Sequence, residues 1–237
     1  VSAPARTGAG AFFDVDGTLT KSDIFRDLVA FRRAQQPSLA FDASIPLRGL
    51  ALLLLDLVDR AAVNRLTYSW YAGSRRENLE GWALAFQQGP GLRRCFPRML
   101  DVLAAHARRG DRIVFVTGAV DAIVAPLPRV LARHLGIDSL ADTRIEAIRL
   151  EEQDGVFTGR LRDEPLAGDA KAQRVRAMAR EEGIDLPSSY AYGDSIADAP
   201  MLGVVGRPCA VRPDIRLRRL ARRRGWPVID AAPRGSP

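Results

Sequence analysis

Apolar positions along the chain follow two rhythms. Residues 11–15 (AFFDV) and 113–116 (IVFV) are short apolar runs that end in polar residues, the pattern of strands buried on both faces. Residues 190–192 (YAY), before Gly193, form a weaker third run. Between them lie stretches of helical period, residues 97–109 before Gly110 and 169–182 before Gly183, each closed by the residue that most readily ends a helix. Strands alternating with helices of this length predict a doubly wound parallel α/β sheet. Two segments break the alternation. Residues 22–88 keep a helical period, contain the apolar run 45–58, and carry Trp70, Tyr71, Trp82 and Phe86 before the Gly89-Pro90-Gly91 breaker. They predict an inserted helical cap, in which Trp70, Tyr71 and Trp82 serve packing or, as the second reading, line a pocket. Residues 143–161 alternate around Asp154-Gly155, a hairpin-turn dipeptide, and predict a β-hairpin flap. Residues 228–230 predict a last strand. The expected domains are an α/β core of residues 1–20 and 91–237 and a helical cap of residues 21–90.

Composition narrows the class. The chain has 237 residues, 47% apolar and 27% charged, enough for one core with an insertion and unlike a disordered chain. The run 45–58 is interrupted by Arg48 and Asp56 and falls short of the roughly 20 residues that span a bilayer, so no membrane span is expected. Residues 1–10 lack the apolar core of a secretory signal and predict a frayed lead-in. Two cysteines, Cys95 and Cys209, are too few for a disulfide framework; they read as packing residues in a cytoplasmic protein. His106 and His134 stand in no motif and read as helix-surface residues.

The net charge of +7 is local. Nine arginines and only Asp214 and Asp230 follow Gly206, which leaves 26 basic against 26 acidic residues elsewhere. This stretch offers a reading of another class, a protein that binds nucleic acid or anionic lipid. Against nucleic acid, aromatic interleaving there is limited to Trp226. Only two of the 35 basic residues are lysine, Lys21 and Lys171, and the two cations are not chemically equivalent.

Candidate chemistry sits at the predicted strand ends. Asp14 and Asp16 share a face of an extended strand, and a turn begun at Gly17 can curl both over one cavity, placing a nucleophile beside an acid/base. Asp194 and Asp198, four apart, can approach one point, and hard oxygen ligands of this kind suit Mg²⁺. Thr117-Gly118 offers a hydroxyl and an approachable backbone, and Lys171, early in a helix, can project an ammonium into a phosphate site.

In this order Asp-x-Asp-Gly-Thr (residues 14–18), strand-end Thr117, isolated Lys171 and Gly-Asp-x-x-x-Asp (residues 193–198) closely resemble the four motifs of the haloacid dehalogenase-like hydrolase superfamily. The resemblance runs from residue 11 to about 230. Placement of the helical insertion between the first two motifs is similar to the phosphoserine phosphatase-like branch. Residues 155–160 (GVFTGR), 189–195 (SYAYGDS) and 217–227 (LRRLARRRGWP) resemble a functionally mixed group of bacterial phosphatase-like proteins there.

The resemblance implies a Rossmann-like core and an Mg²⁺-dependent phosphatase acting on a small phosphorylated metabolite, or a phosphotransferase or phosphomutase with the same aspartyl-phosphate. It implies Asp14 as nucleophile, Asp16 as acid/base, and Thr117, Gly118 and Lys171 as phosphate-binding residues. Mg²⁺ would be held by Asp14, the Asp16 carbonyl and Asp194, with Asp198 supporting the metal or the lysine. Phosphoserine phosphatases resemble Asp-x-Asp-Ser-Thr where this chain has Gly17, and carry a substrate-reading Glu where it has Asp23. Arg75 and Arg76 are the candidates for their cap arginine.

Overall fold

The computed structural model describes residues 8–21, 29–30 and 67–230. Six parallel strands form one sheet. In chain order they are β1 (Gly10–Phe13), β2 (Arg112–Val120) and β3 (Arg144–Ile148), then β6 (Tyr190–Gly193), β7 (Arg207–Val211) and β8 (Val228–Ile229). The strands β4 (Leu150–Gln153) and β5 (Val156–Leu161) pair separately as an antiparallel hairpin. The order across the sheet is β3-β2-β1-β6-β7-β8, so the chain leaves β1 toward one edge and later returns to its other side. A crevice opens at such a reversal, beyond the carboxyl ends of the central strands, which is where open α/β sheets bind ligands.

Burial explains the centre. All four residues of β1 are buried, and Phe12, Phe13 and Phe115 are fully enclosed. Phe13 stacks on Tyr192 of β6, with centroids 4.6 Å apart, and meets Phe115 edge-on. Register follows: Phe13 pairs with Phe115 on one side and with Tyr192 on the other. Asp14, Val116 and Gly193 therefore come next, at one level. The pairing of β2 with β3 jumps from Val116↔Glu146 to Val120↔Ile148, so Thr117–Ala119 bulge out of the ladder at the same end.

Seven helices are described: α1 (Arg76–Phe86), α2 (Pro97–Arg109), α3 (Asp121–Val124), α4 (Leu127–Leu135), α5 (Asp169–Glu182), α6 (Ala199–Leu202) and α7 (Ile215–Arg224). Helices α2 and α5 have the bounds that periodicity predicts. None of the described helices is long and apolar enough to cross a membrane. Tyr68, Tyr71, Leu79, Ala83 and Phe86, from the second part of the expected cap, join the same buried cluster as the strands. Residues 73–76 also pair with the hairpin, through Gly73 N–H to Phe157 O (2.9 Å) and Arg76 N–H to Gly155 O (3.0 Å). The apolar run 45–58 lies outside the described residues.

Three local expectations need correction. Residues 144–148 belong to the main sheet, and only residues 150–161 form the hairpin flap. Residues 144–148 alternate because β3 is an edge strand, and alternation does not reveal which strand is the partner. Its outer positions are stitched to α5 through Arg144–Glu182 (2.7 Å) and Arg174–Glu146 (3.3 Å). A strand that the pattern does not announce, β7, begins at Arg207-Pro208, residues that mask the buried Cys209-Ala210-Val211.

His106, expected on a surface, is 2% exposed, because it extends the buried stripe of α2 formed by Met99 and Leu103. Its ring nitrogens lie 2.6 Å from Asp111 Oδ2 and 2.8 Å from Tyr192 Oη. Burial, more than the neighbouring charges, lowers its pKa. His134 is exposed, and both cysteines are buried free thiols whose pKa burial raises to about 11. Replacing His106 by Phe strands the Tyr192 hydroxyl and one Asp111 interaction in the interior. Denaturant unfolding should show a loss of about 1–3 kcal/mol; equal stability would deny this network a structural role.

Candidate active site

The turn after β1 is built by backbone bonds. Leu19 and Thr20 N–H both donate to Val15 O, and Gly17 N–H donates to Thr20 O (2.9 Å), which curls Asp16 back over the end of the strand. Gly17 has φ +79°, and a Cβ there would lie 2.2 Å from Asp194 Oδ2. The glycine is thus required both by its backbone and by the carboxylate packed against it. A second close approach occurs at Gly193, where a Cβ would sit 2.5 Å from that of Asp198.

Lys171, in the first turn of α5, is 5% exposed and donates from Nζ to Asp14 Oδ1 and to Asp198 Oδ1, both at 2.6 Å. The other Asp198 oxygen accepts from Asp194 N–H (3.2 Å), Ser195 N–H (3.1 Å) and Ser195 Oγ (3.1 Å). Both oxygens of Asp198 are therefore engaged in holding the lysine and the loop after β6. Oxygens of Asp14, Asp194 and Asp198 lie within 4.8 Å of one another.

Electrostatics follow from this crowding. Burial, partly opposed by Lys171 and reinforced by Asp198, raises the Asp14 pKa to about 6. Burial, then repulsion from Asp14 and Asp198, raises that of Asp194 to about 7. Burial works against the charged form of Lys171, but the Asp14 and Asp198 carboxylates outweigh it and raise its pKa. One ammonium does not balance three carboxylates. Hard oxygens, close spacing and uncompensated negative charge fit a small divalent cation such as Mg²⁺.

A cavity of about 470 Å³ beside these groups is lined by Asp16, Gly17, Gly118 and Asp194 together with Lys21, Tyr68 and Tyr71. Thr117 is fully buried at the β2 bulge, where its Oγ1 accepts from Ala119 N–H (3.1 Å). The structure thus brings Asp14, Lys171, Asp194 and Asp198 into contact and lines the cavity with Asp16 and Gly118. It does not bring the cap arginines there. Arg75 is exposed, and Arg76 binds Glu152 (2.5 Å), Asp121 (3.0 Å) and Glu80 (3.2 Å), tying α1 to α3 and to the hairpin. Asp23 lies outside the described residues.

Asp214 is a residue that sequence reasoning missed. Its carboxylate caps α7 by accepting from Leu217 N–H (2.7 Å) and also accepts from Ile196 N–H (2.9 Å), while its own N–H donates to Asp194 O (2.8 Å). An Asp three residues before Leu217 at a helix start was the available signal.

A family model described as haloacid dehalogenase-like hydrolase matches residues 11–203. A phosphoserine phosphatase of Mycobacterium tuberculosis is 31% identical over 242 residues, covering 96% of this chain and 72% of its own. A solved structure of a protein of unknown function from Bordetella pertussis superposes with TM-score 0.78 at 27% identity, covering 94% of this chain and 99% of its own. A phosphoserine phosphatase solved as an analogue of the phospho-aspartyl intermediate shares the fold, with TM-score 0.60 at 20% identity over 89% of this chain and 90% of its own.

Because the pKa values of Asp14 and Asp194 are raised to about 6 and 7, a cation bound between them would displace protons as the pH falls to that range. Calorimetry of Mg²⁺ addition in buffers of different ionisation enthalpy should show proton release that is larger at pH 6 than at pH 8. Gly17→Ala, which pushes Asp194 aside, should weaken that binding. Release independent of pH would contradict the raised pKa values.

Proposed function

The chain belongs to the haloacid dehalogenase-like hydrolase family, and we propose that it is an Mg²⁺-dependent phosphomonoester phosphatase that passes the phosphoryl group through its own Asp14. One observation carries this reading: three carboxylates crowd within 4.8 Å around a buried lysine at the carboxyl ends of β1 and β6. Loose, largely dissociative phosphoryl transfer asks mainly for positioning and for cations facing the phosphoryl oxygens.

In the first half-reaction an Asp14 carboxylate oxygen attacks phosphorus as the bond to the ester oxygen breaks. Asp16, set by the Gly17 turn over the same cavity, gives its proton to the departing oxygen. In the second, the Asp16 carboxylate takes a proton from water, and the water oxygen attacks phosphorus. The phosphorus–Asp14 bond breaks, which frees inorganic phosphate and restores the Asp14 carboxylate. Lys171 holds Asp14 in place through its 2.6 Å bond and offers positive charge to the phosphate. The Thr117 hydroxyl and the Gly118 backbone at the β2 bulge complete the phosphate cradle. Mg²⁺ held by Asp14, Asp194 and the Asp16 carbonyl would supply further neutralisation of the phosphoryl oxygens. Asp198 acts through Lys171 and the loop that carries Asp194.

The substrate is a small phosphorylated metabolite, in keeping with a cavity of about 470 Å³ and with the activity named for the mycobacterial relative. Residues 21–90 act as a cap that selects it; Tyr68 and Tyr71 of this segment line the cavity. Two buried free thiols accord with a cytoplasmic location.

Phosphate release from a panel of metabolite esters tests the reading. Turnover should require Mg²⁺, vanish in Asp14→Asn and fall about 10²- to 10⁴-fold in Asp16→Asn. Full activity after exhaustive chelation, or near-wild-type turnover by Asp14→Asn, would sink it.

A further inference from the structure

We propose that the leaving group of the substrate carries an acidic group of its own, a carboxylate or a second phosphate, which is bound by Lys21 with the help of Tyr68. This rests on the phosphatase reading and adds what the site selects. Lys21 is exposed and lines the same cavity as Asp16 and Asp194. Its position is set by the core: Lys21 N–H donates to Arg94 O (2.9 Å), Thr20 bridges to Cys95, and Phe96 N–H donates to Leu19 O (2.9 Å). The backbone that carries the lysine is thereby anchored seven residues after Asp14, and its flexible stem reaches into the cavity from that point.

Three observations give Lys21 a ligand. First, its ammonium makes no ion pair with any described residue, whereas Arg76, the expected reader, is bound by Glu80, Asp121 and Glu152. Second, 33 of the 35 basic residues are arginine, yet both lysines lie at this one site. Lysine is a compact charge on a flexible stem, suited to an anion whose exact geometry is not planar or bidentate. Third, Tyr68 is only 8% exposed and lines the same cavity, which places a phenol beside Lys21. Burial raises the pKa of that phenol, so it remains a donor. A neutral, apolar leaving group would use neither the ammonium nor the phenol, whereas an acidic one can accept from both. With the transferred phosphate held by Lys171 and the cation, Lys21 is the remaining cation in the described lining for a second anion.

Three phosphonates that cannot be hydrolysed test this by calorimetry at fixed excess Mg²⁺: propylphosphonate, 2-carboxyethylphosphonate and ethane-1,2-bisphosphonate. The wild type should bind at least one acidic ligand about tenfold or more tightly than propylphosphonate, as a charge-assisted hydrogen bond provides. Which acid wins distinguishes carboxylate from phosphate. Lys21→Met should collapse that preference to within about threefold, and Lys21→Arg should keep most of it. Equal binding of all three by the wild type, or a preference that survives Lys21→Met, overturns the proposal while leaving the phosphatase reading intact. No binding of any phosphonate, together with no ester turned over, overturns both.

Discussion

The ammonium of Lys171 joins three parts of the chain that are remote in sequence. Its bonds to Asp14 and Asp198 fasten the end of β1, the first turn of α5 and the loop after β6 to one point. Both acids and the lysine are buried, so each depends on the others to satisfy its hydrogen-bonding groups away from water. Removing one member of such a set strands the others in low dielectric, at a cost of about 3–5 kcal/mol. The remaining oxygen of Asp198 then fixes the backbone at residues 194–195, and Asp214 fixes the same loop from the side of α7. Catalytic geometry and local folding are thereby one problem, solved by the same few hydrogen bonds.

That arrangement leaves negative charge in excess, and the excess is useful. In the proposed reaction Asp14 and Asp194, with pKa values raised to about 6 and 7, would exchange protons for a cation, and the loaded site would attract the phosphoryl oxygens. Close packing enforces the spacing. A side chain at residue 17 would collide with Asp194, and one at residue 193 with Asp198, so both glycines are needed to let the carboxylates converge. The carboxylates and the lysine stand at the strand ends and on α5, and the aromatic lining of the cavity comes from Tyr68 and Tyr71 of the segment before α1.

Much of this was legible in the sequence because the informative signals are local. Apolar runs marked β1, β2 and β6, and the acids that follow them stand within a few residues of the strand ends. Helices α2 and α5 follow from period and stop residues alone. What sequence pattern could not give is partner choice. The alternation of residues 143–161 is equally compatible with a flap and with an edge strand plus a shorter hairpin, and β3 is the edge strand. Pro208 hides β7, and His106 reads as a surface residue until the α2 stripe is placed against Tyr192. Arg76 illustrates the same limit: its charge suggests substrate recognition, and Glu80 of its own helix with Asp121 and Glu152 from two other elements bind it.

Covalent phosphoryl transfer to Asp14 is the claim on which the account stands. The direct measurement is to quench the protein in acid during turnover of a phosphate ester, reduce it with borohydride and map the peptides by mass spectrometry. Borohydride converts an aspartyl phosphate to homoserine, so the account predicts homoserine at position 14, dependent on ester and Mg²⁺ and absent from the Asp14→Asn variant. Rapid turnover with unmodified aspartate at position 14 at every quench time, or homoserine at another acid, would contradict it.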